Sequence, residues 1–397
     1  MLLKALAIRE IDPRCFNQGV KMAKSTNILT LGFALYRRIM RIRRLKRFRY
    51  SVVEFYKRRK VRMIALGRIP ANDLIEHFPA ATADTEDCIL MPFEQMAQHL
   101  QKTTYTIPAG NSRILKEISY CAKNNMLLSS SRRLIAESSS AERKSVWFQW
   151  KDLFELEFEH LDGFYTSLRS FRNNYYHSLV DELPRLFLLH HPAYADREIK
   201  LLLPGGPTPV ESYFLDKLCP PNVKLFPTKH NRIYTFDEFL FTDFLTRRFA
   251  GYLPHQYLEF FHQRVLPDRE RRHDKKILIS RKKAPNSRNI VNEEELAEAL
   301  LPLGYQSYVL EDLDLDAQIE LFYDASAVVA PHGAGLTNLI YAQNANVLEL
   351  HPNRDLFPHY YYLCKSLQHP YQYWYGDAET RFSPFRVDVP AIMKLLT

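Results

Sequence analysis

Apolar residues in the second half of the chain recur in two spacings. Short runs such as "KILIS", "AVVA" and "NVLEL" are continuous and rich in β-branched residues, which is typical of strands buried on both faces. The segments between them, "NEEELAEALLPLG", "DAQIELFYDA" and "LTNLIYAQ", carry apolar residues at helical spacing. With "YQSYVL" as a further strand, this order predicts a parallel, doubly wound α/β sheet over residues 276–350.

The region before it shows a similar alternation. "VWFQWKDLFELEFEHLDG" is strand-like up to Gly163, and "NNYYHSLVDELPRLFLLHH" has the spacing of a helix that breaks or kinks at Pro184. "EIKLLLPGG", "PVESYFLDKL" and "RIYTFDEFLFTDF" then predict a strand with a turn, a helix and a strand. The charged stretch "LPDRERRHDKK" separates the two regions. We therefore expect two Rossmann-like, doubly wound α/β domains facing a cleft, over residues 63–268 and 269–397.

The N-terminal segment, residues 1–62, has a different pattern. Apolar residues lie at helical spacing over 28–48, and eight arginines and lysines fall between positions 37 and 49. Five more lie between positions 57 and 62, so these thirteen exceed the net charge of +9 and the remainder is near neutral. A basic amphipathic helix of this kind lies readily on an anionic membrane, so we expect peripheral membrane contact through residues 28–49. Packing of this helix on its own domain is the alternative.

Composition narrows the class of protein. The 397 residues include five scattered cysteines and no C-x-x-C pair, which favours a reducing compartment and argues against a structural zinc. No apolar run approaches the ~18–20 residues of a transmembrane helix, and no signal-peptide pattern is present. We expect a cytoplasmic protein, peripheral on the inner face of the membrane. No nucleic acid partner is expected, because the basic arm has no aromatic stacking platform; DNA or RNA binding through it is the weaker alternative.

The stretch "PHGAGLTN" lies between a predicted strand and a predicted helix. A loop in this position presents free N–H groups and the positive end of the helix dipole, and therefore binds anions. Gly333 and Gly335 permit close backbone approach and unusual φ angles. His332 adds a donor, and Thr337 and Asn338 add polar groups to the first helical turn. The spacing is neither that of a P-loop nor that of a dinucleotide fingerprint. A tight turn whose histidine caps the helix is the alternative.

Three more charged residues belong to the same predicted edge of the sheet. Arg281 directly follows a strand and Arg288 lies in the loop beyond it, and a basic loop at a strand's carboxyl end suits a diphosphate. Glu349 ends the last strand, where a carboxylate is placed to accept hydrogen bonds from ribose hydroxyls. The alternative for the basic loop is an ordinary solvated surface.

His177 and Asp181 are spaced i, i+4 on one face of the predicted helix. Such a pair can orient an imidazole or place a carboxylate as general base, and an ordinary helix pair is the alternative. Asp312 and Asp314 form a D-x-D pattern that can bind a metal with a nucleotide diphosphate. We interpret Asp314 instead as a helix N-cap, because an apolar-periodic helix follows it. The remaining histidines lack metal-ligand spacing, so we predict no metal site.

Three blocks together, "NNYYHSLVDELPRL", "ILISRKKAPNSRNIVNEEEL" and "VVAPHGAGLTNLIYAQNANVLEL", resemble glycosyltransferase family 61, the group that includes capsular polysaccharide biosynthesis transferases. They occur in the family's order and cover roughly residues 165–375. The resemblance implies a GT-B fold, a nucleotide-sugar donor, inversion at the anomeric carbon and no required metal or cofactor. The implied acceptor is a glycan or lipid-linked glycan of a surface polysaccharide, but the first 160 residues lie outside the resemblance.

Under this resemblance the donor diphosphate lies at the turn, next to Arg281 and Arg288. The turn residues are His332, Gly333, Ala334, Gly335 and Leu336. The base that activates the acceptor comes from across the cleft, which favours Asp181, with His177 as the competing candidate. The alternative function is a catalytically inactive scaffold of a polysaccharide assembly complex that binds nucleotide or glycan.

Overall fold

The computed structural model describes residues 59–69, 71–90, 100–139, 145–148, 156–170, 174–284 and 288–397. The predicted basic helix over 28–48 lies outside these residues. The described part is a mixed α/β structure with two principal sheets, one on each side of the predicted boundary at 266–276. The domain limits at 62 and 268 stay predictions.

The N-terminal sheet mixes parallel and antiparallel strands. The strands before residue 270 are β1 (Arg59–Arg62), β2 (Ala71–Phe78), β3 (Ala81–Asp84), β4 (Thr104–Ile107), β5 (Gly110–Leu115), β6 (Ser119–Cys121), β7 (Met126–Leu128), β8 (Ser145–Phe148), β9 (Glu157–Ser167), β10 (Ile199–Pro204), β11 (Val223–Thr228) and β12 (Arg232–Thr242). The central strands β9 to β12 pair in parallel, in the order β11-β10-β9-β12, whereas β5 pairs antiparallel with β12 and β2 with β5. The parallel pairing expected of a doubly wound sheet is therefore found only in the central part.

The strands of the C-terminal sheet are β13 (Lys275–Ser280), β14 (Tyr305–Val309), β15 (Ala325–Pro331), β16 (Asn346–His351) and β17 (Tyr371–Tyr375). The sheet is wholly parallel, in the order β14-β13-β15-β16-β17. This confirms the prediction for residues 276–350 and adds an edge strand, β17, in the aromatic stretch "YQYWY". Parallel pairing needs crossovers, and helical segments between the strands supply them.

The helical segments include both α-helices and 3₁₀ helices. The α-helices are Pro209–Leu218, His255–Val265, Glu293–Leu300, Leu315–Tyr323, His359–Leu367 and Val389–Leu396. Short 3₁₀ turns are Leu66–Arg68, Glu86–Leu90, Ala136–Ser138, Pro192–Tyr194, Leu301–Leu303 and Leu310–Asp312. The helix after the glycine turn, Ala334–Tyr341, is also 3₁₀. Among the described residues, no helix is both long and apolar enough to cross a bilayer.

The helix predicted around Pro184 is present but irregular. His177–Glu182 is a π-helical turn that passes into a 3₁₀ segment, Leu183–His190. Pro184 lies at the start of the second segment, where its missing N–H costs least. The π turn is a feature often found at functional sites, and here it carries both His177 and Asp181.

The local signals of the first α/β unit explain why it folds as predicted. Gly205 and Gly206 adopt φ of 77° and 84°, which glycine tolerates best, and they end β10. Thr208 and Glu211 then form a capping box at the start of the helix Pro209–Leu218. Arg169 binds both carboxylate oxygens of Glu211 at 2.6 Å and fixes the turn to β9.

The two sheets share one core. The largest buried cluster contains residues of both regions, and Phe261 stacks on Tyr341 with ring centroids 6.0 Å apart. Tyr175 donates to Asn338 at 2.6 Å, and Asn338 donates in turn to Gln318 at 3.0 Å. This amide therefore joins the helical segment before His177 to two helices of the C-terminal region. The four cysteines within the described part are free thiols.

Candidate active site

A cleft of about 530 Å³ opens where β13, β14 and β15 end. One wall comes from residues 174–177 and 248–249, and the other from residues between 281 and 382. Within the described part, the lining contains four arginines and one acidic residue: Arg248, Arg281, Arg288, Arg381 and Glu311. A concave surface with this charge balance concentrates anions.

The glycine turn forms the floor of the cleft. His332, Gly333, Ala334 and Gly335 all line it, directly after β15. The 3₁₀ helix begins at Ala334, so the N–H groups at its start have no partner within the helix itself. This is the arrangement expected of an anion site at a strand-to-helix turn.

The reason for the two glycines differs from the one expected. Gly333 is extended, with φ 173°, and neither Gly333 nor Gly335 has a left-handed φ. Space is the reason instead, because a Cβ on Gly333 would lie 1.9 Å from Nη1 of Arg281. A Cβ on Gly335 would lie 2.9 Å from Leu310. The expectation of unusual φ angles is corrected, and close approach is what these positions require.

His332 and Glu349 form a buried pair behind the turn. His332 Nδ1 lies 2.5 Å from Glu349 Oε1, and Tyr371 donates to Glu349 Oε2 at 2.6 Å. Burial lowers the pKa of His332 to about 4. Burial alone would raise the pKa of Glu349, but His351 and His332 outweigh it and hold that pKa below its usual range. At neutral pH a neutral imidazole therefore donates from Nδ1 to a carboxylate, and Nε2 is left as an acceptor.

Two expected contacts change as a result. Glu349 is fully buried and both its oxygens are bonded to protein groups, so it does not face ribose hydroxyls in the cleft. His332 lines the cleft, but the neutral ring offers an acceptor there, where a donor was expected. Glu311, exposed at the end of β14, is the carboxylate on the cleft wall.

The first turn of the 3₁₀ helix also differs from expectation. The Leu336 N–H donates to the Gly333 carbonyl at 3.0 Å, and Leu336, Thr337 and Asn338 are fully buried. The Asn338 amide is occupied by Tyr175 and Gln318. These three residues therefore hold the turn in place from behind and do not line the cleft.

The two predicted arginines lie on the cleft wall. Arg281 is 8% exposed, and Arg288 adopts φ 84°, a strained value for a residue with a side chain. Nε of Arg288 is buried without a hydrogen-bond partner among the described residues. Burial lowers the pKa of both guanidinium groups, and the charge of Arg281 adds to the effect on Arg288. Two partly desolvated cations side by side favour a bound anion that compensates them.

His177 lies across the cleft from these arginines, and Asp181 lies behind it. His177 Nδ1 is 2.6 Å from Asp181 Oδ2, and the Thr246 hydroxyl donates to Asp181 Oδ1 at 2.9 Å. His177 lines the cleft, whereas Asp181 does not. Asn174 starts this segment, because its side chain accepts from the His177 N–H at 2.9 Å. Of the two candidates for the base, only His177 therefore faces the cleft, and the choice between them stays a prediction.

The other acidic and capping predictions have simple outcomes. Asp314 caps the helix Leu315–Tyr323 by accepting from the Ala317 N–H at 2.8 Å, as expected. Asp312 pairs with Lys283 at 2.6 Å. Asn292 occupies the N-cap position of the helix Glu293–Leu300, but its side-chain amide donates to the Val387 carbonyl and its side-chain oxygen accepts from the Val387 N–H. The D-x-D pattern is thus used for capping and surface pairing.

One buried group has the composition of a metal site. His332, Glu349 and His351 offer ligand atoms within 4.8 Å of one another, a set that zinc accepts. The oxygens of Glu349 already accept from His332 and Tyr371. The two imidazole rings stack with centroids 5.2 Å apart. As placed, the group is a hydrogen-bonded support for the glycine turn.

The aromatic wall of the cleft was not predicted from the sequence. Phe249, Phe357 and Phe382 line the cleft, together with Arg248 and Arg381. Phe249 has φ 66°, a second left-handed residue on the cleft. These residues come from loops without periodicity, so the only available signal was the juxtaposition of arginine and phenylalanine in "RRFAGY" and "TRFSPF".

Mixed α/β architecture with parallel sheets, and an arginine-lined cleft at the strand ends, fit the α/β fold of a glycosyltransferase. Residues 175–348 match the family model described as Glycosyltransferase 61. That range contains His177, Arg281 and the glycine turn.

A beta-1,2-xylosyltransferase of Oryza sativa subsp. japonica is similar to the chain, with 27% identity over 242 residues. The aligned region covers 54% of this chain and 42% of the relative, so the chain spans less than half of that protein's length. Both comparisons support the resemblance to glycosyltransferase family 61 and support glycosyl transfer as the enzyme class.

Proposed function

We propose that the protein is an inverting, metal-independent glycosyltransferase that moves a sugar from a nucleotide-sugar donor to a polysaccharide or glycolipid acceptor. The observation that carries the proposal is a single cleft with His177 on one wall and Arg281 beside the glycine turn on the other. This arrangement supports a base and an anion site that act on opposite sides of one reacting centre. In this proposal the two sheets act as the two halves of a GT-B enzyme.

His177 is the proposed base. The acceptor hydroxyl gives its proton to the imidazole while its oxygen attacks the anomeric carbon of the donor. The bond from that carbon to the diphosphate breaks on the opposite face, which inverts the configuration. Asp181 holds the ring by its Nδ1 and stabilises the imidazolium that forms, and Thr246 fixes Asp181.

The leaving diphosphate gains negative charge as the bond breaks. Arg281 and Arg288, with the N–H groups of Ala334 and Gly335, are the proposed groups that stabilise this charge. Fixed donors in a partly buried site need little reorganisation during the reaction, so they supply leaving-group stabilisation without a metal. Glu311 is the proposed carboxylate for the ribose hydroxyls, in place of Glu349.

The cellular setting is proposed from the charge of the N-terminal segment. The basic residues between 37 and 62 fit a cytoplasmic protein held at the inner face of a membrane, where a lipid-linked glycan is presented. Assembly of a surface or capsular polysaccharide fits that setting. Since the relative is described as a xylosyltransferase, UDP-xylose heads the donors to be tested.

A donor panel tests the proposal. The full chain is incubated with UDP-xylose, other UDP-sugars, GDP-sugars and CMP-sugars, with and without EDTA, and nucleotide release is measured. We expect turnover with one donor. The His177→Ala substitution should abolish this turnover, and EDTA should leave it unchanged. NMR of the product gives the anomeric configuration. Nucleotide binding without turnover on any donor or acceptor would favour the inactive scaffold. Turnover lost with EDTA would overturn the metal-independent mechanism.

A further inference from the structure

Phe382 is an exposed aromatic residue on the cleft wall. Its side chain is 51% exposed, although phenylalanine is among the residues most often buried. The other large apolar residues with comparable exposure, such as Leu74, Val291 and Leu301, lie away from the cleft within the described part. An exposed phenylalanine at a binding cleft therefore indicates a contact with a bound ligand.

The loop that carries Phe382 is fixed. The Phe382 N–H donates to the Thr380 hydroxyl at 3.3 Å, and the Ser383 N–H donates to the Thr380 carbonyl at 3.1 Å. Phe385 then bonds the backbone of Asn289 at 3.0 Å and that of Val291 at 2.7 Å. These bonds hold the backbone at Phe382 beside the segment 288–291, which contains Arg288.

Two guanidinium groups lie near the ring. Cζ of Arg381 lies 5.1 Å from the Phe382 ring centroid, and Cζ of Arg288 lies 5.8 Å from it. Arg381 is held by Asp355 at 3.0 Å and also covers Phe357 at 4.3 Å. A guanidinium group is attracted to the π face of a planar ring and can itself stack on a base, so cations close to Phe382 favour the binding of an electron-rich planar group there.

The aromatic wall leads from this ring to the proposed phosphate site. Phe357 stacks on His332 with centroids 5.5 Å apart and an interplanar angle of 22°, and His332 begins the glycine turn. Arg288 contributes to both ends, because it lies beside Arg281 and also near Phe382. A ligand with an anionic end at the turn and a planar aromatic end at Phe382 matches this layout.

We propose that Phe382, with Arg288 and Arg381 close to its ring, is the stacking platform for the nucleobase of the donor. The inference rests on the proposed function, since it assumes that the donor diphosphate lies at the glycine turn. Stacking of a base on an aromatic side chain strengthens binding by about ten-fold or more and tolerates every base, because each has a π face. The platform therefore supplies affinity for the nucleoside, and the choice among bases falls to polar groups at the ring edges.

Binding measurements with and without a base test the platform. Calorimetry of the full chain compares UDP, GDP and CMP with inorganic pyrophosphate, which has the phosphates but no base. Phe382→Ala should weaken binding of the preferred nucleotide about ten-fold or more and leave the affinity for pyrophosphate within about two-fold. Phe382→Tyr keeps a ring and should bind the nucleotide within about three-fold of the wild type.

Leu225→Ala is the matched control, because Leu225 is an apolar residue 42% exposed outside the cleft lining. It should bind both ligands as the wild type does. Equal effects of Phe382→Ala on nucleotide and pyrophosphate, or no effect on either, would overturn the inference. So would a loss confined to acceptor affinity, which would assign the ring to the acceptor. A wild-type protein that binds no nucleotide would reject the proposed function itself, whereas an active wild type with an unaffected variant rejects only the platform.

Discussion

The His177 imidazole and the Asp181 carboxylate meet at 2.6 Å within one π-helical turn, and only the imidazole reaches the cleft. The second oxygen of Asp181 accepts from Thr246 at 2.9 Å. With both oxygens bonded to protein, the carboxylate is suited to orient and charge the ring, and the ring to take the proton. In this arrangement the two residues have different roles, whereas the sequence predicted that one of them alone acts as the base.

Replacing His177 and Asp181 should have unequal effects on transfer. His177→Ala removes the base and should lower kcat by about 10²–10⁴-fold, while donor affinity stays within two-fold. Asp181→Asn keeps a hydrogen-bonding partner for the ring but loses its charge, so the loss in kcat should be smaller. Steady-state kinetics with the active donor measure both. A larger loss in Asp181→Asn than in His177→Ala would return the role of base to the carboxylate.

Two substitutions of Thr246 test whether its hydroxyl positions Asp181 and His177. Thr246→Ser keeps the hydroxyl and should retain the wild-type rate, whereas Thr246→Val keeps the shape and loses the donor. Because Thr246 acts through Asp181, its effect should appear in kcat and leave the donor KM unchanged. Equal kcat values for the serine and valine variants would show that this hydroxyl does not position the base.

Gly333→Ala should disable the donor site without unfolding the protein. The new Cβ would overlap Nη1 of Arg281, so the guanidinium must leave its place beside the turn. We expect donor affinity to fall by about ten-fold or more, with a change in Tm of only a few degrees. Gly67→Ala is the control, because a Cβ there meets no atom within 4 Å. If Gly333→Ala binds donor normally, the Arg281 position does not matter for the diphosphate.

Substitutions of Glu311 and Glu349 should affect different properties, donor binding for Glu311 and fold stability for Glu349. Glu311→Gln should weaken donor binding several-fold and leave Tm unchanged, because Glu311 is exposed on the cleft wall. Glu349→Gln replaces a buried carboxylate bonded to His332 and Tyr371, and should cost about 1–3 kcal/mol of the free energy of unfolding. Thermal melts and donor titrations of the two variants check this. Weaker donor binding in Glu349→Gln, with no change in Glu311→Gln, would instead place the ribose at Glu349.

The stability of the fold should depend on pH through His332. Its pKa is lowered to about 4 in the folded protein, against about 6.5 in an unfolded chain. Between about pH 4 and pH 6.5 the unfolded chain therefore binds one more proton at this histidine than the folded protein does. The free energy of unfolding is thus highest above about pH 6.5 and falls as the pH is lowered towards 4. Denaturant unfolding at several pH values should give a shallower loss for His332→Gln, by at most about 1.4 kcal/mol per pH unit. Equal slopes for variant and wild type would contradict the lowered pKa.

The C-terminal sheet was predictable because its signals are local. Continuous β-branched runs, helical periodicity and the Asp314 cap each lie within a few residues, and their order alone requires parallel pairing. Arg281 and the glycine turn could be placed at one edge for the same reason. Strand β17 was hidden because aromatic residues suit both a helix and a strand, and packing decides between them.

The remaining features of the site depend on contacts distant in sequence. That Glu349 is enclosed by His332 and Tyr371, and that Asn338 binds Tyr175, follows from packing that no single segment encodes. Residue type alone likewise could not show that Gly333 is small to admit Arg281. Phe382 was missed because its loop has no period, and its exposure became visible only with the fold.

The amide of Asn338 has a mechanical consequence. It binds Tyr175 from the His177 side of the cleft and Gln318 from the other, and nearby His262 bonds the Ile340 carbonyl at 2.9 Å. The two walls are thus pinned together at the rear of the glycine turn. Widening the cleft at this point would break the bonds of Asn338 to Tyr175 and Gln318, so these bonds oppose any change in the spacing between His177 and the glycine turn.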